Sequence, residues 1–271
     1  MDKEKVLTFV EAQTNRPLAM QLGNVSPILL FIILLVLTGG CAPANVDPAI
    51  EVARTWQAAE VYFPKKFTYV TPSKVSVRDP HPTVVYLHGC SGIKEAGISW
   101  AEIPTGAGYA VVLPDSFARY YRWKNCDSGS KGLYPETFRM REEEIRYALA
   151  KLKSAPWADA DNLFLMGHSE GGRAVSLSWL YGFKAAIISS NACQSGVQLP
   201  YSMPILAVSF AADPWMSGSV SCRDSFNNRD NATELILPGG RHDTSKSTEA
   251  VNAVLKFLGE HTRRKSVTDL E

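Results

Sequence analysis

The residues best suited to covalent chemistry lie in the run Leu163-Phe164-Leu165-Met166-Gly167-His168-Ser169-Glu170-Gly171-Gly172-Arg173. An apolar stretch of strand length ends at Gly167, and a segment compatible with helix follows Gly172. The spacing Gly167-x-Ser169-x-Gly171 is that of a nucleophile elbow, a sharp strand-to-helix turn that presents a serine hydroxyl. Glycines on either side leave space where a Cβ would strike neighbouring backbone. A serine placed there sits beside a helix N-terminus, whose N–H groups can meet developing negative charge. Such a serine needs a base, an acid and a second N–H donor from elsewhere in the chain.

Five histidines allow the base to be found by elimination. His168 is inside the turn and is expected to point away from Ser169. His88 ends an early strand, His81 lies between prolines, and His261 is in the C-terminal helix or tail. His242 follows the last predicted strand in Gly239-Gly240-Arg241-His242-Asp243-Thr244, where a loop can fold back over the serine. The acid falls between serine and histidine in the order Ser, Asp, His. Asp213, at the end of the Ile205–Phe210 strand and stiffened by Pro214, is preferred over Asp224, Asp230 and Glu234. The oxyanion donors are assigned to the backbone N–H groups of Glu170 and of Cys90, the latter in the loop His88 to Gly92. Tyr120, Tyr121, Arg122 and Trp123 follow another strand, and Trp215 and Met216 follow the acid. Of these, Tyr120, Trp123 and Trp215 are candidates to line the substrate pocket, with packing beneath a long loop as the alternative.

The elements that must position these groups alternate between strand and helix. Strands are predicted at Thr83–Leu87, Ala110–Leu113, Asn162–Met166, Ala185–Ser189, Ile205–Phe210 and Glu234–Leu237. Helices are predicted at Ile50–Tyr62, Ser99–Gly106, Glu136–Lys153 and Arg173–Leu180, and over the stripe Val251, Val254, Leu255, Leu258. Short strands at Phe67–Val70 and Val75–Val77 are expected to form an opening hairpin. Glu142 to Glu144 read as the solvated side of their helix. The alternation implies an α/β fold with a mostly parallel twisted sheet and helices on both faces, its ligand site at the C-terminal ends of the strands.

The remaining sequence concerns location. At 271 residues with a net charge of +1, the chain suits one α/β domain with appendages, and no basic patch suggests nucleic acid. Ile28–Leu37 is an apolar run too short to span a bilayer but suited to a signal peptide. Thr38, Gly39 and Gly40 before Cys41 resemble a bacterial lipobox, although Thr38 occupies the usual leucine position. A secretory signal or an uncleaved anchor are the alternatives, and all three export the domain. The expected divisions are an export segment at 1–41, a tether and helix at 42–66, the catalytic domain at 67–261 and a polar tail at 262–271. The expected location is the bacterial cell envelope, with a lipid anchor at Cys41. Apart from Cys41 four cysteines remain, and in an oxidising compartment they suggest two disulfides. Three connectivities are open, and four separate buried thiols are the alternative; Cys90–Cys126 with Cys193–Cys222 is the expected pairing, because each bridge would link adjacent loops. No cysteine or histidine spacing suits zinc, and no cofactor is expected.

Together the phrases Tyr86 to Gly92, Leu113 to Phe117, Gly167 to Arg173, Asp213-Pro214-Trp215 and His242-Asp243 resemble the α/β-hydrolase fold, and within it the dienelactone hydrolase-like family. The resemblance runs from about Thr83 to Leu258. It implies hydrolysis of a small-molecule or polymeric ester. The dienelactone hydrolases use a cysteine nucleophile, whereas this chain has Ser169, which points to a serine carboxylesterase acting through an acyl-enzyme. The same triad serves a peptidase or amidase. A non-catalytic envelope lipoprotein with a hydrolase-like domain is the reading from another class.

Overall fold

A computed structural model describes residues 47–263, apart from 67, 124–125, 127–134 and 217. The expected export segment and lipidation site at Cys41, and the tail beyond 263, lie outside the described residues. Seven strands form one sheet: β1 (Glu60–Tyr62), β2 (His81–Leu87), β3 (Ala110–Leu113), β4 (Ala158–His168), β5 (Ala186–Ser189), β6 (Ile205–Phe210) and β7 (Ala232–Leu237). Their spatial order is β1-β3-β2-β4-β5-β6-β7. All neighbours are parallel except β1, which pairs antiparallel with β3 at the edge.

Parallel strands between two helical layers are apolar on both faces. In β2, Val85 and Leu87 face one core with Ile145, Leu149 and Val175, whereas Val84 and Tyr86 face the other with Trp100, Val254 and Leu258. The first layer includes α3 (Pro135–Leu152) and α4 (Glu170–Leu177), and the second α2 (Glu95–Gly106) and α5 (Thr248–His261). A further helix, α1 (Pro48–Gln57), begins with Asp47 accepting from the Ala49 N–H at 2.9 Å and Pro48 in its first turn. Ser247 caps α5 in the same way, by accepting from the Ala250 N–H.

Three expectations are corrected. Helix was expected through Tyr62, but α1 ends at Gln57 and Glu60–Tyr62 becomes β1. Val61 and Tyr62 are buried there, and pairing with β3 satisfies their backbone groups as well. The opening hairpin does not form. Val70 makes an isolated antiparallel bridge to Val61, Pro72–Lys74 is a 3₁₀ turn, and Val75–Val77 is not a strand; Phe67 lies outside the described residues. The proline starts the turn that breaks the strand pattern, and Val75 and Val77 pack against the core instead.

The third correction concerns the acidic run on α3. Glu144 is buried, not solvated, and Glu142 and Glu143 are only partly exposed. Glu144 Oε2 accepts from Arg141 Nη1 at 3.1 Å, and Oε1 accepts from Arg119 Nε at 3.0 Å and Ser116 Oγ at 2.8 Å. Buried charges persist only when paired and hydrogen-bonded. Replacing Glu144 by Ala leaves two buried guanidinium groups short of their counter-ion. We expect a loss of about 3–5 kcal/mol, read from chemical unfolding curves; a loss under about 1 kcal/mol, as for a surface pair, would contradict this burial.

Candidate active site

The site is assembled at the C-terminal ends of the parallel strands. β4 ends at His168, and α4 starts at Glu170, so the chain reverses within Ser169. Ser169 has φ +57° and ψ −117°, a conformation that non-glycine residues rarely adopt. Two bonds hold it there: the Ser169 N–H donates to Ser189 O at 2.9 Å, and Ser169 O accepts from the Arg173 N–H at 3.0 Å. The flanking glycines are sterically required. A Cβ on Gly167 would stand 2.3 Å from Gly171 O, and one on Gly171 would stand 2.0 Å from Leu87 O. Gly172 is confined as well, with Ser189 O 2.7 Å from where its Cβ would be. α4 was expected from Arg173; its earlier start puts the N–H groups of its first turn directly after the serine.

Asp213 and His242 come together from the loops after β6 and β7. The Ala212 N–H donates to Gly239 O at 2.9 Å, and a Cβ on Gly240 would lie 2.9 Å from Ala212 O, so the two loops run in close contact. His242 Nδ1 is 2.9 and 2.8 Å from the two Asp213 carboxylate oxygens. Asp213 is buried, and its Oδ1 also accepts from the Trp215 N–H at 2.9 Å. With Nδ1–H donating to the carboxylate, the basic lone pair of neutral His242 is on Nε2. Ser190 Oγ donates to His242 O and fixes the loop further.

Ser169 and His242 line one cavity of about 220 Å³, together with Gly89, Cys90, His168 and Trp215. A Cβ on Gly89 would be 3.5 Å from Ser169 Cβ, so the loop carrying Cys90 runs alongside the serine. Cys90 is disulfide-bonded to Cys126, which also lines the cavity, and Cys193 is bonded to Cys222. The pairing is the one read from the sequence. Near the second bridge, Asn191 Oδ1 accepts from the Cys193 N–H at 3.0 Å and Asn191 Nδ2 donates to Ser169 O at 3.4 Å.

The aromatic candidates divide. Trp215 is on the cavity rim, 70% exposed, with its ring 5.7 Å from that of His242. Tyr120 and Trp123 do not line this cavity. Tyr120 is exposed and held by its N–H to Glu51 Oε2 at 2.7 Å; Trp123 packs edge-on against Tyr121 at 5.5 Å. Both belong to the stretch after β3 that is fastened to α1 through Glu51 and to α3 through Arg119, whose Nη2 donates to Met140 O. Arg122, expected with them, turns inward to the Glu170 carboxylate. Among the described residues no His, Cys, Asp and Glu group could hold a metal.

His168 does not point away as expected. Its ring lies 4.7 Å from that of His242, and Nδ1 is 3.2 Å from Ser189 Oγ, which bonds Thr244 Oγ1 at 2.7 Å. Ser189 is opposite His168 in the β4–β5 register, so it draws the ring toward the His242 loop. Tyr86 and Gly97 also line the cavity and were not foreseen. An apolar strand position and a helix glycine carry no local signal for this.

Solved structures share this architecture. A Klebsiella pneumoniae protein described as a dienelactone hydrolase matches with TM-score 0.53 and 15% identity, over 75% of this chain and 91% of that one. Est1E from Butyrivibrio proteoclasticus, in a complex with ferulic acid, gives TM-score 0.54 and 18% identity, over 75% and 94%. The chain has the α/β-hydrolase fold. An S-formylglutathione hydrolase from Agrobacterium tumefaciens, of the same fold, gives TM-score 0.52 and 17% identity over 75% and 89%. No family model and no curated protein matches the chain. In the chain Ser169, Asp213 and His242 stand in the order Ser, Asp, His.

Two other imidazoles in this region are buried and neutral. Burial, with a smaller contribution from His242, pushes the pKa of His168 down to about 3. His88 is shifted in the same direction by burial and then by Arg141. His88 Nδ1 donates to Gly89 O at 2.7 Å, and Nε2 accepts from the Ser116 N–H at 3.0 Å. In the unfolded chain an imidazole takes up a proton below about pH 6.5. The unfolded state therefore binds more protons than the folded state between that pH and the folded pKa. Stability is complete above about pH 6.5 and falls on acidification, by at most about 1.4 kcal/mol per pH unit for each group. Replacing His168 by Gln should make the decline in unfolding free energy between about pH 6.5 and about pH 4.5 shallower; an unchanged slope would argue against a neutral buried His168.

Proposed function

We propose that this chain is an exported serine esterase, similar to the dienelactone hydrolases in fold but with serine as the nucleophile. The observation that carries the reading is the strained Ser169 turn sharing a cavity with an imidazole bonded to buried Asp213. The fold likeness to Est1E and to the S-formylglutathione hydrolase supports ester chemistry. The reaction proceeds in two steps. Ser169 Oγ bonds to the ester carbonyl carbon while its proton passes to His242 Nε2. The carbonyl π pair moves onto oxygen, where the N–H groups of Glu170 and Cys90 receive it, each contributing about 3 kcal/mol. The C–O bond to the alcohol then breaks, and His242 returns the proton to the departing oxygen. Water next adds to the acyl carbon with His242 again as base, releasing the acid and restoring Ser169. Asp213 holds the imidazole tautomer and stabilises its transient charge.

The cavity is small and has Trp215 at its rim, which suits small acyl groups or the end of an extended substrate. Replacing Ser169 by Ala should abolish p-nitrophenyl acetate turnover and fluorophosphonate labelling without changing the unfolding midpoint. Asp213→Asn should lower kcat by a factor of about 10³–10⁴. Turnover that survives in Ser169→Ala sinks the assignment. A fold that takes up no fluorophosphonate at all favours the binding-protein reading, and faster amide than ester turnover favours the peptidase.

Export is proposed on the sequence alone, from the Ile28–Leu37 run and Cys41. Two disulfides in the folded unit are compatible with an oxidising compartment. Cells expressing the full chain with radiolabelled palmitate should label it, and Cys41→Ala should remove the label. Equal labelling of the two proteins would exclude lipidation at this cysteine.

A further inference from the structure

Arg122 connects two parts of the site that the sequence keeps far apart. Its guanidinium makes three directed contacts: Nη2 to the Glu170 carboxylate, Nε to Ser116 Oγ at 2.7 Å, and Nη1 to Trp123 O at 2.7 Å. It also stacks over the Phe117 ring, 4.2 Å from the centroid. The side chains of Arg122 and Glu170 are 2% and 5% exposed, so this is a desolvated pair. Ser116 accepts from Arg122 and donates to Glu144 Oε1. Glu144 holds Arg141, whose Nη2 donates to His88 O at 2.6 Å. His88 in turn bonds Gly89 O through Nδ1 and the Ser116 N–H through Nε2. One continuous buried network therefore runs from the first residue of α4 to the exit loop of β2.

We propose that Arg122 is a positioning residue for the oxyanion hole. This rests on the serine hydrolase reading above. The two donors, the N–H groups of Glu170 and Cys90, belong to different elements, the start of α4 and the loop after β2, and bind one oxygen atom. Their separation must be held to a fraction of an ångström, because a displacement of about 1 Å can cost about 100-fold in rate. Arg122 fixes the first turn of α4 through the Glu170 side chain. Through Ser116, Glu144 and Arg141 it fixes the residues leading to Cys90. The Cys90–Cys126 bridge ties the same loop covalently to the segment that bears Arg122. A lysine cannot make three directed contacts in one plane, which accounts for arginine at this position.

The test uses the full-length protein and the variants Arg122→Lys, Arg122→Met and Arg122→Met/Glu170→Gln. The double variant leaves no lone buried charge, so it covers the case in which Arg122→Met does not fold. Competent sites are first counted by the end-point of fluorophosphonate labelling. Then kcat per competent site, KM for p-nitrophenyl acetate and the inhibition constant of a trifluoromethyl ketone, which forms an oxyanion on the serine, are measured. We expect kcat per site to fall about 10–100-fold in Arg122→Met, with KM changed less than about threefold. Affinity for the ketone should fall by the same factor as kcat/KM. Arg122→Lys should lie between, and the double variant should stay low. Normal kcat per site with fewer competent sites would reduce Arg122 to a stability role and overturn the proposal. Recovery of kcat in the double variant would do the same, by showing that charge balance alone matters. If wild type and Ser169→Ala turn over ester equally, the hydrolase reading itself fails and this proposal with it; a normal Arg122→Met against an inactive Ser169→Ala fails the proposal alone.

Discussion

Everything at the site depends on one close backbone approach. The first turn of α4 passes so near the ends of β2 and β4 that a Cβ at Gly171 would sit 2.0 Å from Leu87 O. This contact forces Ser169 into its positive-φ turn and gives the serine its place between a strand end and a helix N-terminus. It also fixes the serine against the loop that starts at His88, because that loop leaves β2 immediately after Leu87. The sheet supplies the rigidity: Leu87 is opposite Gly167 in the parallel register, with β5 on the other side of β4. A rigid scaffold of this kind can hold backbone strain that a loop would relax.

Beneath the turn, the protein buries charge where an apolar core would be simpler. Arg119, Arg122 and Arg141 meet Glu144 and Glu170 in a network that joins α3, α4 and the segment after β3. Buried pairs contribute little net stability compared with well-packed apolar groups, but breaking one is costly. Their value here is geometric. Directed bonds between planar guanidinium groups and carboxylates allow few alternative arrangements, whereas leucines in the same space would tolerate several.

The histidine side of the site is built differently. Asp213 and His242 meet because two neighbouring strand-end loops share backbone bonds and a glycine contact. Neutral His168 packs against the His242 ring, and Trp215 covers another part of it at the rim. The imidazole is thus held by one carboxylate and two rings.

Much of this was legible in the chain. The alternation of apolar strands and amphipathic helices fixed the fold class, because periodicity records burial directly. Gly167 and Gly171 announced a tight crossing, since only glycine fits there. The choice of Ser169, Asp213 and His242, each soon after a strand, rested on the rule that parallel sheets bind at their C-terminal ends and on the chain order that goes with the elbow motif. The network of Arg122, Glu144 and Arg141 was not legible. Charged residues on a helix read as solvated, and nothing local distinguishes a buried Glu144 from an exposed one. The same limit applied to His168, whose direction is set by Ser189 on the next strand, and to β1, which exists only because β3 offers it an edge. The sequence by itself determined which residues could do chemistry and which elements carry them, because both are written in residue type and spacing. Only the tertiary structure decided which charges meet and which rings stack, because those contacts join residues dozens of positions apart.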